Sequence, residues 1–184
     1  MGIFDKFFSP KNDTKNPQAP GLYHYEIQNP GERSRVHLRV DADGRGTLIV
    51  NANRVMHLNP TAALMARLTL AGKPRGEIIR AVAAHYRANR KQIAADYDVF
   101  QYQLEHLIRP DGACAIHDLN LETVAPFTAR PSAPYRLDLA LTYRCNNDCA
   151  HCYNARARNY PELDTEAWKD VIDIAWNLGI PHII

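Results

Sequence analysis

The chain has 184 residues, of which 46% are hydrophobic and 23% charged, as expected for a globular protein with one domain or two small ones. Its formal net charge of +2 is too small to indicate binding to nucleic acid or to an anionic membrane. No apolar run approaches the roughly 20 residues that span a bilayer, and the N-terminus lacks the features of a signal peptide. We therefore expect a cytoplasmic protein, in which clustered cysteines serve as metal ligands or reactive thiols rather than as disulfides.

The first part of the chain is rich in turn formers and then becomes strand-like. Residues 1–32 are rich in Pro, Asn and Lys, which predicts a flexible N-terminal tail with room for one short strand at LYHYEI. From 35 to 41 apolar and polar residues alternate, and DADGRG separates this segment from TLIV, so a β-hairpin is predicted. Val55 to Leu58 is the third predicted strand.

Three helices are predicted next. Asn59 suits an N-cap and Pro60 the first position of the first helix. Apolar residues at helical spacing predict a second helix over about 75–87 and a third over about 90–108. Three strands followed by three helices make a winged-helix-like α+β domain over residues 33–109.

The last part of the chain has the pattern of an α/β protein. Four prolines punctuate residues 110–134, which we interpret as a linker. YRLDLALTYRC then predicts a strand, LDTEAWKDVIDIAWNLG an amphipathic helix capped by Asp164, and PHII the start of a second buried strand. This order makes a βαβ unit over residues 135–184, whose parallel sheet needs further units to cover its faces.

The sequence CNNDCAHCY carries three of the four cysteines, Cys145, Cys149 and Cys152, on the loop that leaves the first of these strands. A structural zinc needs four protein ligands, so His151 or Cys114 would be the fourth. A [4Fe-4S] cluster held by three thiolates instead keeps one iron open, where a substrate or cosubstrate can bind. On the residues alone, a zinc site, a catalytic thiol and a disulfide stay open as alternatives.

The segment from Tyr135 to Ile184 resembles the first part of the radical S-adenosylmethionine (radical SAM) superfamily, whose signature has this cysteine spacing followed by an aromatic residue. The resemblance implies that the βαβ unit begins an incomplete α/β radical SAM (partial TIM) barrel. It also implies a [4Fe-4S] cluster on the three cysteines, with S-adenosyl-L-methionine at the open iron and Tyr153 near its adenine. An electron donor such as flavodoxin or ferredoxin would start the release of a 5′-deoxyadenosyl radical that abstracts hydrogen from a substrate.

The chain ends inside the second predicted strand of this unit, at Ile184. The glycine-rich motif with which the family binds S-adenosylmethionine follows that strand, so the resemblance implies the N-terminal part of a longer enzyme. We expect no turnover from the 184 residues alone, and we assign no catalytic side chain within them.

The winged-helix pattern by itself would favour DNA binding. The third predicted helix, however, carries Asp96, Asp98 and Glu105 and has basic residues only at its ends, so it lacks a cationic stripe for phosphates. The segments RVMHLNPTAALMARL, GEIIRAVAAHY and IAADYDVFQYQLEHLI resemble the PqqD-like domains, which recognise the precursors of ribosomally made peptides beside radical enzymes. In that family a leader peptide adds a strand to the sheet edge and packs against the third helix.

Carried over to this chain, the PqqD-like resemblance implies an edge strand and a helical groove for a leader peptide. The edge candidates are Val55, Met56, His57 and Leu58, and the groove candidates are Tyr97, Phe100, Gln101 and Leu104. Three of these, Leu58, Phe100 and Leu104, fit a hydrophobic core equally well.

The predicted function is therefore a radical SAM enzyme that modifies a ribosomally made peptide recognised by its N-terminal domain. One alternative is a zinc-stabilised peptide-binding or regulatory protein without enzymatic activity. The other is a radical SAM enzyme that acts on a small metabolite.

Overall fold

The structure is a computed structural model, and it describes residues 17–29, 32–109, 132–153 and 161–184. The chain divides into two compact units, Met1–Ser132 and Ala133–Ile184. Within the described ranges, no helix is both long and apolar enough to cross a membrane.

A four-stranded antiparallel sheet forms the centre of the first unit. Its strands are β1 (Gly21–Asn29), β2 (Glu32–Val40), β3 (Gly46–Val50) and β4 (Arg54–Leu58), which lie side by side in chain order. Each strand pairs with its neighbour in the sequence. In the described part of the chain, β1 and β4 are consequently the two edges of this sheet.

The sheet has one strand more than the three that the sequence predicts. β1 lies in residues predicted to be a flexible tail with one short strand, yet it is nine residues long and pairs with β2 along its whole length. Its alternate residues Tyr23, Tyr25 and Ile27 pack against the core. The Pro- and Asn-rich composition around this segment hides that two-residue period, which explains the wrong count.

Three helices pack against one face of the sheet: α1 (Pro60–Leu70), α2 (Arg75–His85) and α3 (Arg90–Ile108). Asn59 caps α1 as predicted, because its Oδ1 accepts a hydrogen bond from the Ala62 N–H at 2.9 Å. Asn89 caps α3 through the Lys91 N–H, also at 2.9 Å. The predicted α+β class of the first unit is thus confirmed, with four strands instead of three, while its winged-helix-like character stays a prediction.

The hydrophobic core lies between this sheet face and the helices. Its largest fully buried side chains come from strands and helices alike and include Leu38, Leu48, Met65, Ile78, Ile93 and Phe100. Burial of each such side chain stabilises the fold by about 1.5–3 kcal/mol. On the second sheet face, His37, Arg39, Thr47 and Ile49 are buried as well. β3 and the second half of β2 therefore have no exposed face.

Side chains anchor the C-terminal end of α3 to the sheet. Arg54 Nη1, at the start of β4, donates to the Leu107 carbonyl at 2.8 Å and also to that of Arg109. Ser34 Oγ donates to the Ile108 carbonyl at 3.0 Å. These donors satisfy carbonyl groups that a helix end leaves open, and they hold the last turn of α3 beside the beginning of β4.

In its described residues, the second unit contains one helix and two short parallel strands. β5 (Arg136–Leu137) pairs with β6 (His182–Ile183), and α4 (Thr165–Asn177) lies between them in the sequence. Asp164 caps α4 as predicted, since its Oδ1 accepts from the Ala167 N–H at 2.8 Å. The order of strand, helix and strand is present, but each strand has only two residues. One parallel pair is not a barrel, so the partial barrel stays a prediction.

Four segments covered by the sequence analysis lie outside the described residues. They are 1–16 and 30–31, which belong to the predicted N-terminal tail, 110–131, which is most of the predicted linker, and 154–160, which follows the cysteine loop.

Replacing Asn59 by Ala should lower the free energy of unfolding by about 1 kcal/mol, because the α1 N-cap is lost. Asn59→Asp keeps an acceptor at the same position and should cost much less. Chemical denaturation followed by circular dichroism measures both variants. Equal losses would show that the Asn59 side chain does not stabilise α1 by capping.

Candidate functional site

The backbone of β4 presents hydrogen-bonding groups at the sheet edge. The Asn51 N–H donates to the Arg35 carbonyl at 3.0 Å, so the backbone groups of these two residues face each other between β2 and β3. Backbone direction alternates along a strand, so Leu48 of β3 faces β4. By the same alternation, the N–H and C=O groups of Val55 and His57 point away from β3.

The four predicted edge residues divide into two pairs. Val55 is 40% exposed and His57 is exposed as well, whereas Met56 and Leu58 are 9% and 6% exposed and belong to the core. The backbone of Met56 and Leu58 faces β3, opposite Leu48 and Gly46. Of these four residues, only Val55 and His57 therefore direct backbone groups away from β3.

Three of the four predicted groove residues are core side chains. Tyr97, Phe100 and Leu104 are 3%, 1% and 3% exposed, and the Tyr97 hydroxyl lies 3.2 Å from Thr69 Oγ1. They can support a groove only from beneath. Gln101 is half-buried, and its Nε2 donates to Glu105 Oε1 at 3.0 Å.

An exposed apolar patch on α3 was missed by the sequence analysis. Val99 and Tyr102 are 52% and 53% exposed, and they lie one helical turn apart. The His106 ring packs against the Tyr102 ring at 3.9 Å between centroids, and His106 Nδ1 lies 2.8 Å from the Tyr102 carbonyl. The sequence contained a signal for this patch, because Val99 and Tyr102 form a second apolar pair, three residues apart, on the otherwise polar face of the helix.

His57 is the titratable group of the β4 edge. Partial burial lowers the pKa of its imidazole below the ordinary 6.5, and the positive charge of Arg39 lowers it further, against a smaller opposite effect of Asp41. Arg39 and His57 lie in one row across the sheet, with Thr47 between them. The folded domain consequently disfavours a protonated His57.

The depressed pKa predicts a pH dependence of stability. Below pH 6.5 the unfolded chain protonates His57 more readily than the folded chain does, so stability falls as the pH falls. His57→Gln removes this contribution. The free energy of unfolding of the variant, minus that of the parent, should rise as the pH falls below 6.5 and stay constant above it. Urea denaturation at several pH values measures the difference, and a flat difference would contradict the assignment.

The cysteine loop follows β5 and its thiols are accessible. Cys145 and Cys149 are exposed, Cys152 is half-buried, and none of the three forms a disulfide. The Asn147 N–H donates to Cys145 Sγ at 3.4 Å, and the Cys152 N–H donates to the Cys149 carbonyl at 3.1 Å. Both of these hydrogen bonds join residues of the loop itself.

The loop is not arranged around a metal in this structure. In the parts of the chain that are described, no three His, Cys, Asp or Glu side chains come close enough together to hold a metal ion. Tyr153, predicted near the adenine of S-adenosylmethionine, is fully exposed. Cys114 lies outside the described residues. The donor set itself suits an iron–sulfur cluster, because it consists of three thiols on one loop, one of which already accepts a backbone N–H.

A small cavity of about 220 Å³ lies between the residues before the loop and the start of α4. Its lining is mostly apolar and includes the aromatic rings of Tyr143 and Trp168. Glu162, also in the lining, lies 3.3 Å from Arg144 Nε through its Oε2 and accepts a hydrogen bond from Thr142 Oγ1. The cavity carboxylate is therefore already engaged by neighbouring donors.

Comparison with known proteins identifies one family. Residues 45–107 match the family described as Coenzyme PQQ synthesis protein D (PqqD). The match contains β3, β4 and α1 to α3, whereas β1, β2 and the cysteine loop lie outside it. No curated protein and no solved structure matches the chain. The β4 edge thus lies within the region that matches PqqD.

Proposed function

We propose that the PqqD-like domain binds an extended segment of a ribosomally made precursor peptide at the β4 edge. We further propose that the cysteine loop belongs to a radical SAM enzyme that modifies this peptide. The observation that carries the first proposal is the coincidence of the family match with an exposed sheet edge. PqqD-like domains are associated with precursor peptides, and an edge strand is the element to which an extended peptide can be added.

The β4 edge has the chemistry for strand addition. Val55 and His57 direct one N–H and one C=O each away from β3, a pattern to which a peptide backbone of any sequence can pair. Selectivity then has to come from side chains. The last turn of α3 lies beside the beginning of β4, and Val99 and Tyr102 are the apolar side chains that α3 exposes to a partner.

A single substitution at Val55 tests the backbone interaction. Val55→Pro removes the outward N–H, and the ladder between β3 and β4 does not use that group. Val55→Ala changes the side chain and keeps the N–H, so it is the matched control. We expect the proline variant to bind a leader peptide about tenfold more weakly, the equivalent of one lost hydrogen bond, and the alanine variant less than about threefold more weakly.

The measurement is a fluorescence or calorimetric titration with leader peptides encoded near this gene, with circular dichroism as a check on folding. Absence of saturable binding by any of these peptides would contradict the proposal. So would equal affinities of the proline and alanine variants, because the edge backbone would then play no part.

The support for the radical SAM proposal is the donor set and its place after a strand. Cys145, Cys149 and Cys152 would hold a [4Fe-4S] cluster, and the Asn147 N–H already directed at Cys145 Sγ would stabilise a thiolate there. A bound cluster with S-adenosylmethionine supplies a carbon radical that abstracts hydrogen from a substrate. Tyr153 follows the last cysteine and would contact the adenine, most simply through its backbone. Flavodoxin or ferredoxin would be the electron donor.

Metal content distinguishes this proposal from the zinc-binding alternative. After anaerobic reconstitution, we expect about four irons and about four acid-labile sulfides per chain, with the visible absorption of an iron–sulfur cluster. Cys145→Ser should lose most of this iron, because only two cluster thiolates remain. Cys114→Ser, at the cysteine outside the motif, should keep it and is the matched control.

If the chain instead holds about one zinc, and Cys145→Ser loses it, the result would contradict the radical SAM proposal and support a structural zinc site. Iron binding together with a lack of affinity for every neighbouring precursor peptide would favour a radical enzyme that acts on a small metabolite.

A further inference from the structure

The second edge of the sheet, β1, lies outside the PqqD match and has the features of a pairing surface. It is nine residues long, GLYHYEIQN, and contains neither Lys nor Pro, the residues that commonly protect an edge from another strand. Among the described residues, no strand pairs with its outer side. Such an edge is a template for a further strand.

The register identifies the backbone groups that face outwards. Arg35 of β2 faces β3, so its neighbour Val36 faces β1 and pairs there with Tyr25. Backbone direction alternates, and the outward groups of β1 are therefore those of Leu22, His24, Glu26 and Gln28. Their side chains all lie on the sheet face opposite the helices, because Tyr23, Tyr25 and Ile27 pack on the helix side.

The strand is complementary to itself in one antiparallel register. In a pair of β1 strands, the outward backbone groups of one copy must lie opposite the outward groups of the other. The antiparallel register centred on Tyr25 meets this condition. It also overlaps all nine residues, with Gly21 of one copy opposite Asn29 of the other. His24 of each copy then lies opposite Glu26 of the other. A shift by two residues in either direction places His24 opposite His24 or Glu26 opposite Glu26, and it shortens the overlap.

We propose that two copies of this chain associate through antiparallel pairing of their β1 strands, centred on Tyr25, to form a continuous eight-stranded sheet. The two His24–Glu26 pairs select the register on one face, since an imidazole N–H can donate to the carboxylate opposite it, whereas two carboxylates opposite each other repel. On the helix face the two Tyr25 rings meet, and each Tyr23 lies opposite Ile27. The contact is isologous, as in most twofold dimers.

Two local interactions hold side chains of β1 in the positions that this pairing requires. Glu26 is ion-paired with Arg33, which holds the carboxylate on the outer row, and a carboxylate can accept from a second donor. The Arg67 guanidinium lies 4.7 Å from the centre of the Tyr23 ring, which keeps that ring on the helix side of the strand. Because β4 is the opposite edge, a dimer leaves both β4 edges open for peptide.

Sedimentation velocity of the 184-residue chain, from about 1 to about 100 µM, tests the proposal; we expect a concentration-dependent dimer. His24→Glu places a carboxylate opposite Glu26 of the other copy in both pairs of the dimer. It should therefore weaken the dimer about tenfold. Gln28→Glu adds the same charge to the same face, opposite Leu22, and should change the affinity less than about threefold. The double variant His24→Glu/Glu26→His exchanges the two side chains, so that an imidazole again faces each carboxylate, and should restore the dimer.

A chain that stays monomeric over this range would overturn the proposal, as would equal weakening by the two single variants. Hydrogen exchange of the unmodified chain needs no variant. The His24 and Glu26 amides should exchange more slowly at high than at low protein concentration, whereas the Tyr25 amide, which faces β2, should not change. Equal behaviour of the three amides would exclude the β1 contact even if a dimer forms.

Discussion

The alternating direction of backbone hydrogen-bonding groups across the four-stranded sheet determines what each of its edges can bind. The backbone hydrogen bond from the Asn51 N–H to the Arg35 carbonyl identifies which residues face which neighbour in all four strands. A residue cannot direct its N–H inwards and outwards at once, so Val55 and His57 face out from β4 while Met56 and Leu58 face β3. The core beneath, with Leu48 and Phe100 fully buried, holds that register in place because a slip by one residue would expose it.

The two edges of the sheet differ in length and in chemistry. β4 has five residues, lies within the PqqD-like region and is joined at its start to the end of α3 by Arg54. β1 has nine residues, lies outside that region and carries an imidazole and a carboxylate that would face each other in an antiparallel copy of itself. A short edge beside a helix suits a peptide that gains affinity from side chains, whereas a long self-complementary edge suits a second copy of the chain.

The cysteine loop illustrates a proposed site whose candidate ligands are apparent in the sequence while its geometry is not. Spacing alone places Cys145, Cys149 and Cys152 on one loop, and the structure leaves them accessible and without disulfides. It does not bring them to one point in the described residues. Metal sites commonly gain their final arrangement from the metal itself, since binding and local folding are coupled. The proposal of an iron–sulfur cluster therefore rests on the chemistry of the three cysteine side chains, and metal analysis tests it.

The sequence by itself determined the helices, their caps at Asn59 and Asp164, and the segment Val55 to Leu58 as a strand, because these depend on local periodicity and on single side-chain hydrogen bonds. Only the tertiary structure decided that β1 belongs to the sheet, since a strand is defined by its partner and composition hid its two-residue period. Tertiary packing also decided that Tyr97, Phe100 and Leu104 are core while Val99 and Tyr102 are exposed. A helix has apolar residues on more than one side, and the elements packed against it determine which of them are buried.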